Sequence, residues 1–176
     1  MTQNYWVMDA SAFFANIEPT IIENTEFVTT SHVFNEIKDN TQVSWYLEIL
    51  QIRGNFSIED PLPESIERVI IRAKQTGDFS VLSRADLSIL ALALEKTEGY
   101  QTSPVFLVSD DYAVQNVGTR LGLQIKALKR TMIQETIDWQ IYCPNCRSIF
   151  KNVRVGDECI DCGGTLRRRR KYRKRN

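Results

Sequence analysis

At 176 residues, with 43% hydrophobic and 25% charged residues, the chain is long enough for one well-buried domain plus an appendage, and its composition is ordinary for a soluble globular protein. No apolar run approaches the ~18 residues needed to cross a bilayer, and the N-terminus lacks the basic region and apolar core of a signal peptide, so a cytoplasmic protein is expected, its four cysteines reduced or metal-bound. The net charge of zero hides an asymmetry: residues 1–139 carry 11 Lys/Arg against 19 Asp/Glu, a balance of −8, while residues 140–176 carry 11 against 3, a balance of +8. An acidic unit that repels a polyanion unless cations intervene is thus joined to a basic unit that attracts one.

The chain opens on Tyr5-Trp6-Val7-Met8, an apolar run that ends in Asp9 and leads through Ala10 and Ser11 to Phe13-Phe14. This is the pattern of a buried strand feeding a helix, expected over Ala12 to Asn16 and ended near Pro19. Glu26 to Thr29 reads as a second strand, Ser31 to Ile37 as a helix, Val43 to Ile52 as a helix closed by Gly54-Asn55, and Phe56 to Ile58 as a short strand. Pro63 suits the first turn of a helix reaching about Gln75, and Gly77-Asp78 breaks it. Ser83 opens a helix rich in Leu and Ala, from Ala85 to about Lys96. Pro104 to Val108 is the continuous apolar run of a strand buried on both faces. It ends in Ser109-Asp110-Asp111; a helix to about Arg120 and a last strand over Leu123 to Ile125 follow. Strands alternating with helices imply a three-layer α/β/α domain with a mainly parallel sheet.

Four places put a carboxylate at a turn into a helix or on a helix: Asp9, Glu36, Asp86 and the pair Asp110/Asp111. Each has a structural use as well. Asp9 and Asp110 can cap helices, Asp86 lies three residues after Ser83 in a capping-box position, and Glu36 can be an exposed helix residue. If the strands are parallel, Asp9 and Asp110/Asp111 emerge on one sheet edge, where α/β sites form. Clustered carboxylates repel one another, and Mg²⁺ or Mn²⁺ relieves that repulsion, prefers such oxygen ligands and can promote phosphodiester displacement by water. The single histidine, His32, leaves no apparatus for HExxH zinc proteases or histidine-based triads, and no phosphate-cradling glycine loop occurs.

The series Asp9 (VMDASAF), Glu36 (SHVFNEI), Asp86 (SRADLSILALA) and Asp110/Asp111 (LVSDDYAVQNV) resembles the PIN domain over roughly residues 4–128. That resemblance implies a metal-dependent nuclease built on a parallel α/β/α sheet, with these carboxylates as catalytic residues and Mg²⁺ or Mn²⁺ ligands. The family's fourth motif often reads Thr/Ser-x-Asp, which points to Asp111, while Asp110 directly follows Ser109; both stay open.

Cys143-Pro-Asn-Cys146 and Cys159-Ile-Asp-Cys162 form a C-x₂-C-x₁₂-C-x₂-C pattern, the spacing of a tetrahedral structural zinc site. Gly163-Gly164 suits a zinc-ribbon knuckle, and Arg147 stands where the first knuckle often has glycine. Redox CxxC pairs or a rubredoxin-like iron site share the spacing, but the module has no redox-enzyme context. Arg167 to Arg175 then hold eight basic residues of nine: Arg167, Arg168, Arg169, Arg170, Lys171, Arg173, Lys174 and Arg175, broken only by Tyr172. Beside an acidic nuclease-like domain such a run reads as RNA-binding, and by composition as a disordered tail. The expected organisation is therefore a nuclease-like domain over 1–128, a linker over 129–139, a zinc ribbon over 140–166 and a basic tail over 167–176.

A PIN-like domain followed by a zinc ribbon and a basic end, with the phrases LSRADLSILALALE and VSDDYAVQNV, is similar to the Nob family of ribosome-maturation endonucleases. The resemblance implies cleavage of precursor small-subunit rRNA at its 3′ end within a pre-ribosomal particle. A toxin-type PIN ribonuclease and a non-catalytic RNA-binding assembly factor are the competing readings.

Overall fold

The computed structural model describes residues 3–15, 23–100, 102–129 and 135–171. Strands β1 (Asn4–Met8), β2 (Thr25–Thr29), β3 (Phe56–Ile58), β4 (Val105–Val108) and β5 (Gln124–Lys126) form one sheet in the order β3-β2-β1-β4-β5, every pair parallel. Parallel strands need crossovers, and helices supply them: α1 (Ala10–Phe13), α2 (Ser31–Ile37), α3 (Thr41–Arg53), α4 (Pro63–Thr76), α5 (Arg84–Gly99) and α6 (Tyr112–Arg120). The expected three-layer arrangement is what the chain adopts. No helix among the described residues is long and apolar enough to cross a membrane.

Burial explains the element choices. β1 and β4 sit in mid-sheet, so Val7, Met8, Leu107 and Val108 are almost wholly buried. α5 buries Ile89, Leu90, Ala91, Leu92 and Ala93 in succession because it packs against β1, β4, α2, α4 and α6 at once. The first helix differs from expectation. It starts at Ala10, because Asp9 caps it directly, and ends at Phe13; Asn16 lies outside the described residues.

After the sheet, β6 (Trp139–Tyr142), β7 (Ile149–Phe150) and β8 (Arg167–Arg170) form an antiparallel sheet in the order β7-β6-β8. The expected domain limits need correcting here, since Trp139 already belongs to the ribbon and the basic run is not a disordered tail from Arg167 onward. Arg167–Arg170 pair with Trp139–Tyr142 along their whole length. Two rings support them: the Arg168 guanidinium lies 4.4 Å from the Trp139 ring centre, and that of Arg169 lies 4.5 Å from Tyr142. Residues 172–176, with Arg173, Lys174 and Arg175, lie outside the described residues.

The ribbon is docked on the α/β domain. Asn116 of α6 exchanges two hydrogen bonds with the backbone of Ile137, at 2.8 Å each, and Arg120 pairs with Asp138 at 2.8 Å. Asp78, fully buried, accepts from Asn116 at 2.6 Å and faces Arg168 at 3.4 Å. Gly77 makes this approach possible. Its φ of +79° closes α4, and a Cβ there would come within 2.3 Å of the Trp139 carbonyl oxygen. Gly77→Ala is therefore expected to cost about 2 kcal/mol or more, from the left-handed backbone and the clash together. A variant melting within about 2 °C of the parent would remove this contact from the joint.

Candidate functional site

The strand order reverses between β1 and β4, so the sheet has a switch point there, with a crevice at the carboxyl ends of those two strands. Asp9 follows β1, and Ser109-Asp110-Asp111 follow β4. The register pairs Met8 with Val108, which sets Asp9 beside Ser109. The Ser109 hydroxyl donates to Asp9 Oδ2 at 2.8 Å, and the Ser11 hydroxyl to the same oxygen at 3.0 Å. Those hydroxyls accept in turn from the Asp111 and Asp110 amides, at 3.1 and 2.9 Å. Each serine proton is thereby committed to Asp9. With the Ala10 amide on Oδ1 at 2.7 Å, the carboxylate is held from three sides. Ser11 and Ser109 were not singled out from sequence; only the cross-strand register reveals them.

Asp9 is 4% exposed. Burial pushes its carboxyl above the usual range and the Asp86 charge adds to this, against the three donors that favour the ionised form. Asp86 thus stands within electrostatic reach of Asp9, on the first turn of α5. There it completes a capping box: its Oδ2 accepts from the Ser83 amide at 2.7 Å, and the Ser83 hydroxyl accepts from the Asp86 amide. Glu36 is exposed on α2, a helix that packs on α1 and α5, the elements flanking Asp9 and carrying Asp86. A buried hydroxyl pair, Thr30 and Ser88 at 2.7 Å, ties α2 to α5.

The fourth acidic position resolves into two different uses. Asp110 is buried, and its carboxylate accepts from the Leu128 amide at 2.8 Å and the Lys129 amide at 3.1 and 3.2 Å, clamping the segment after β5. That segment is also held by Lys129 Nζ, which donates to the Phe14 carbonyl. Asp111, and not Asp110, caps α6, through Oδ1 to the Ala113 and Val114 amides, and is exposed. Among the described residues only the four cysteines bring three or more ligand atoms within 4.8 Å of one another; no three of the carboxylates do.

In the ribbon the Sγ pairs Cys143–Cys162 and Cys146–Cys159 lie 3.5 and 3.6 Å apart. A tetrahedron with metal–sulfur bonds of about 2.3 Å has edges of about 3.8 Å, so the set fits zinc. The two knuckles repeat one geometry: the Arg147 amide donates to the Cys143 carbonyl as the Gly163 amide does to that of Cys159. Arg147 accordingly takes the left-handed backbone, φ +67°, matching Gly163 at +72°. Gly164 fits under the cluster because a Cβ there would press on Asn145 at 2.6 Å.

Comparison with known proteins agrees with this geometry. Residues 6–95 match the family described as the PIN domain of ribonuclease. The chain is 37% identical over 162 residues to the endoribonuclease Nob1 of Pyrococcus abyssi, which covers 92% of this chain and 91% of the relative. It is 33% identical over 123 residues to ribonuclease VapC3 of Aeropyrum pernix, covering 70% of this chain and 85% of that one. A 69-residue stretch is 51% identical to the 20S-pre-rRNA D-site endonuclease NOB1 of Saccharomyces cerevisiae, 39% of this chain and 15% of the yeast protein. With its parallel PIN sheet, its switch-point carboxylates, its four-cysteine ribbon and near full-length similarity to Nob1, the chain belongs to the Nob1 family of PIN-domain endoribonucleases.

Proposed function

We propose that the chain is a divalent-metal-dependent endoribonuclease that cuts a precursor of small-subunit rRNA at its 3′ end, within a pre-ribosomal particle in the cytoplasm. The observation that carries the nuclease reading is the switch-point crevice. There Asp9, held by Ser11 and Ser109, meets the charge of Asp86, and Asp111 follows β4 at the start of α6. A buried carboxylate beside a second negative charge is an environment that a cation offsets. Asp9, Glu36, Asp86 and Asp111 would hold Mg²⁺ or Mn²⁺, while Asp110 fixes the segment at Leu128 and Lys129. When bound, such a cation supplies Lewis-acid stabilisation of the phosphate oxygens. Zinc in the ribbon is structural, and the ribbon with Arg167–Arg170 and Lys171 holds the RNA backbone; Arg173, Lys174 and Arg175 extend the same charge.

A pre-rRNA substrate is supported by the yeast relative's name, and 37% identity to a Nob1 protein over nearly the full length of both chains, against 30–33% to the VapC ribonucleases, favours this over a toxin-type ribonuclease. The test is cleavage of a model RNA carrying the 3′ junction. Cutting at the junction is expected with Mn²⁺ or Mg²⁺ and none with EDTA. Intact RNA under every divalent cation, with binding retained, would overturn the enzymatic reading and leave a non-catalytic assembly factor.

A further inference from the structure

Where the ribbon docks on the α/β domain, a cleft of about 420 Å³ opens. Its walls include Lys74 at the end of α4, Phe79 just beyond it, Trp139 on β6, Phe150 on β7, and Lys151 and Lys171. None of Asp9, Glu36, Asp86, Asp110 or Asp111 lines it. We propose that this cleft binds a nucleotide of single-stranded RNA, with its base against the aromatic wall and its phosphates on the lysines. The proposal rests on the reading of the chain as a ribonuclease and adds a second RNA site, apart from the carboxylates.

Three observations support that occupant. First, three exposed lysines converge at the joint, Lys74 from the acidic unit and Lys151 and Lys171 from the basic one, and none of them is in an ion pair among the described residues. The single carboxylate on the wall, Asp138, is already paired with Arg120. Second, three aromatic rings among cations are the means by which proteins hold single strands without reading sequence: stacking contributes about 1–3 kcal/mol per base and phosphate contacts add to it. The rings are only half-buried: Trp139 carries Arg168 at 4.4 Å and Phe79 carries Lys74 at 5.2 Å from the ring centre, while Phe79 and Phe150 also pack on the two cores. Third, a second cleft of about 370 Å³ shares Trp139 with the first and is lined by Arg168 and by Tyr112, the neighbour of Asp111; its two carboxylates, Asp78 and Glu135, are paired with Arg168 and Arg170. A strand continuing past Trp139 would run toward the start of α6.

The test uses the full-length zinc-loaded protein in EDTA at a concentration too low to strip the ribbon. A fluorescein-labelled ten-nucleotide uridine RNA is titrated at several salt concentrations. Lys74 and Lys151 are exposed, so Lys74→Ala/Lys151→Ala and Lys74→Glu/Lys151→Glu should both fold, with melting temperature and zinc content checking this. The alanine pair is expected to make the slope of log K against log salt shallower by about 1.4, at roughly 0.7 per phosphate contact on a single strand. The glutamate pair should raise Kd at least about tenfold. In single-turnover cleavage of the junction RNA, the loss should appear in the concentration needed for half-maximal rate and not in the rate at saturation. Folded variants with parental Kd and slope would overturn the proposal, leaving the cleft to a partner protein and the nuclease reading intact. Failure of the parent itself to bind the uridine RNA or the junction RNA would overturn both.

Discussion

Asp9→Asn is expected to lower the cleavage rate by at least about 100-fold while leaving RNA affinity within a factor of two or three. The substitution keeps the shape of the side chain and removes its charge, and Asp9 lines neither cleft at the ribbon. It also has a stability signature that a merely structural residue would not show. Burial and the neighbouring Asp86 raise the Asp9 pKa in the folded chain. A raised carboxyl keeps its proton to higher pH in the folded state than in the unfolded one. Its contribution is then fully present below the unfolded value near 3.9 and is lost as pH rises through the folded value. At pH 7–8, in zinc-loaded protein without added Mn²⁺ or Mg²⁺, Asp9→Asn should therefore melt higher than the parent, although it has lost a charge-assisted cap. Mn²⁺ should raise the parent's melting temperature and leave that of the variant unchanged. Cleavage within a few-fold of the parent, or an equal Mn²⁺ shift in both proteins, would remove Asp9 from the metal-holding set.

Local chemistry made much of this architecture legible in advance. The cysteine spacing, the apolar runs of β1 and β4 and the carboxylates that follow them are short-range patterns, and each means the same thing wherever it occurs. The capping uses of Asp9 and Asp86 were equally legible, and they coexist with the site because a cap occupies only part of a carboxylate's acceptor capacity. What the chain did not announce depends on register and docking. Ser11 and Ser109 are ordinary small residues until Met8 pairs with Val108. Asp78 reads as a helix breaker, yet it is buried at the domain joint under Asn116 and Arg168. The division of labour between Asp110 and Asp111 turns on the segment after β5, which is remote in sequence. Arg167–Arg170 mislead for a physical reason. Four successive arginines look like a solvated run, but backbone pairing to β6 satisfies the main chain while the rings of Trp139 and Tyr142 and the carboxylate of Asp78 receive two of the guanidinium groups.

That misleading strand shapes what should follow from zinc removal. The ribbon's own core is Ile141, Cys143, Cys159 and Leu166, with Phe150 and Val153 against it, and two of the four buried members are metal ligands. So small a cluster cannot offset the chain entropy of ordering about 30 residues, whereas structural zinc binding supplies roughly 10–16 kcal/mol in small zinc domains. Chelation, or Cys143→Ser or Cys162→Ser, should unfold the ribbon and leave the α/β domain folded on its separate core. β8 would be released with it, and Asp78 would lose Arg168. The basic side chains would all remain, so RNA should still bind with a steep salt dependence, but weaker by about tenfold or more, because dispersed arginines cannot keep their rings and register. Amide exchange should show fast exchange over residues 139–170 and retained protection in β1 and β4. Metal analysis of the parent should find one zinc per chain. Iron in its place, or ribbon amides that stay protected after chelation, would refute a zinc-dependent fold and return the cysteine pairs to redox or iron chemistry.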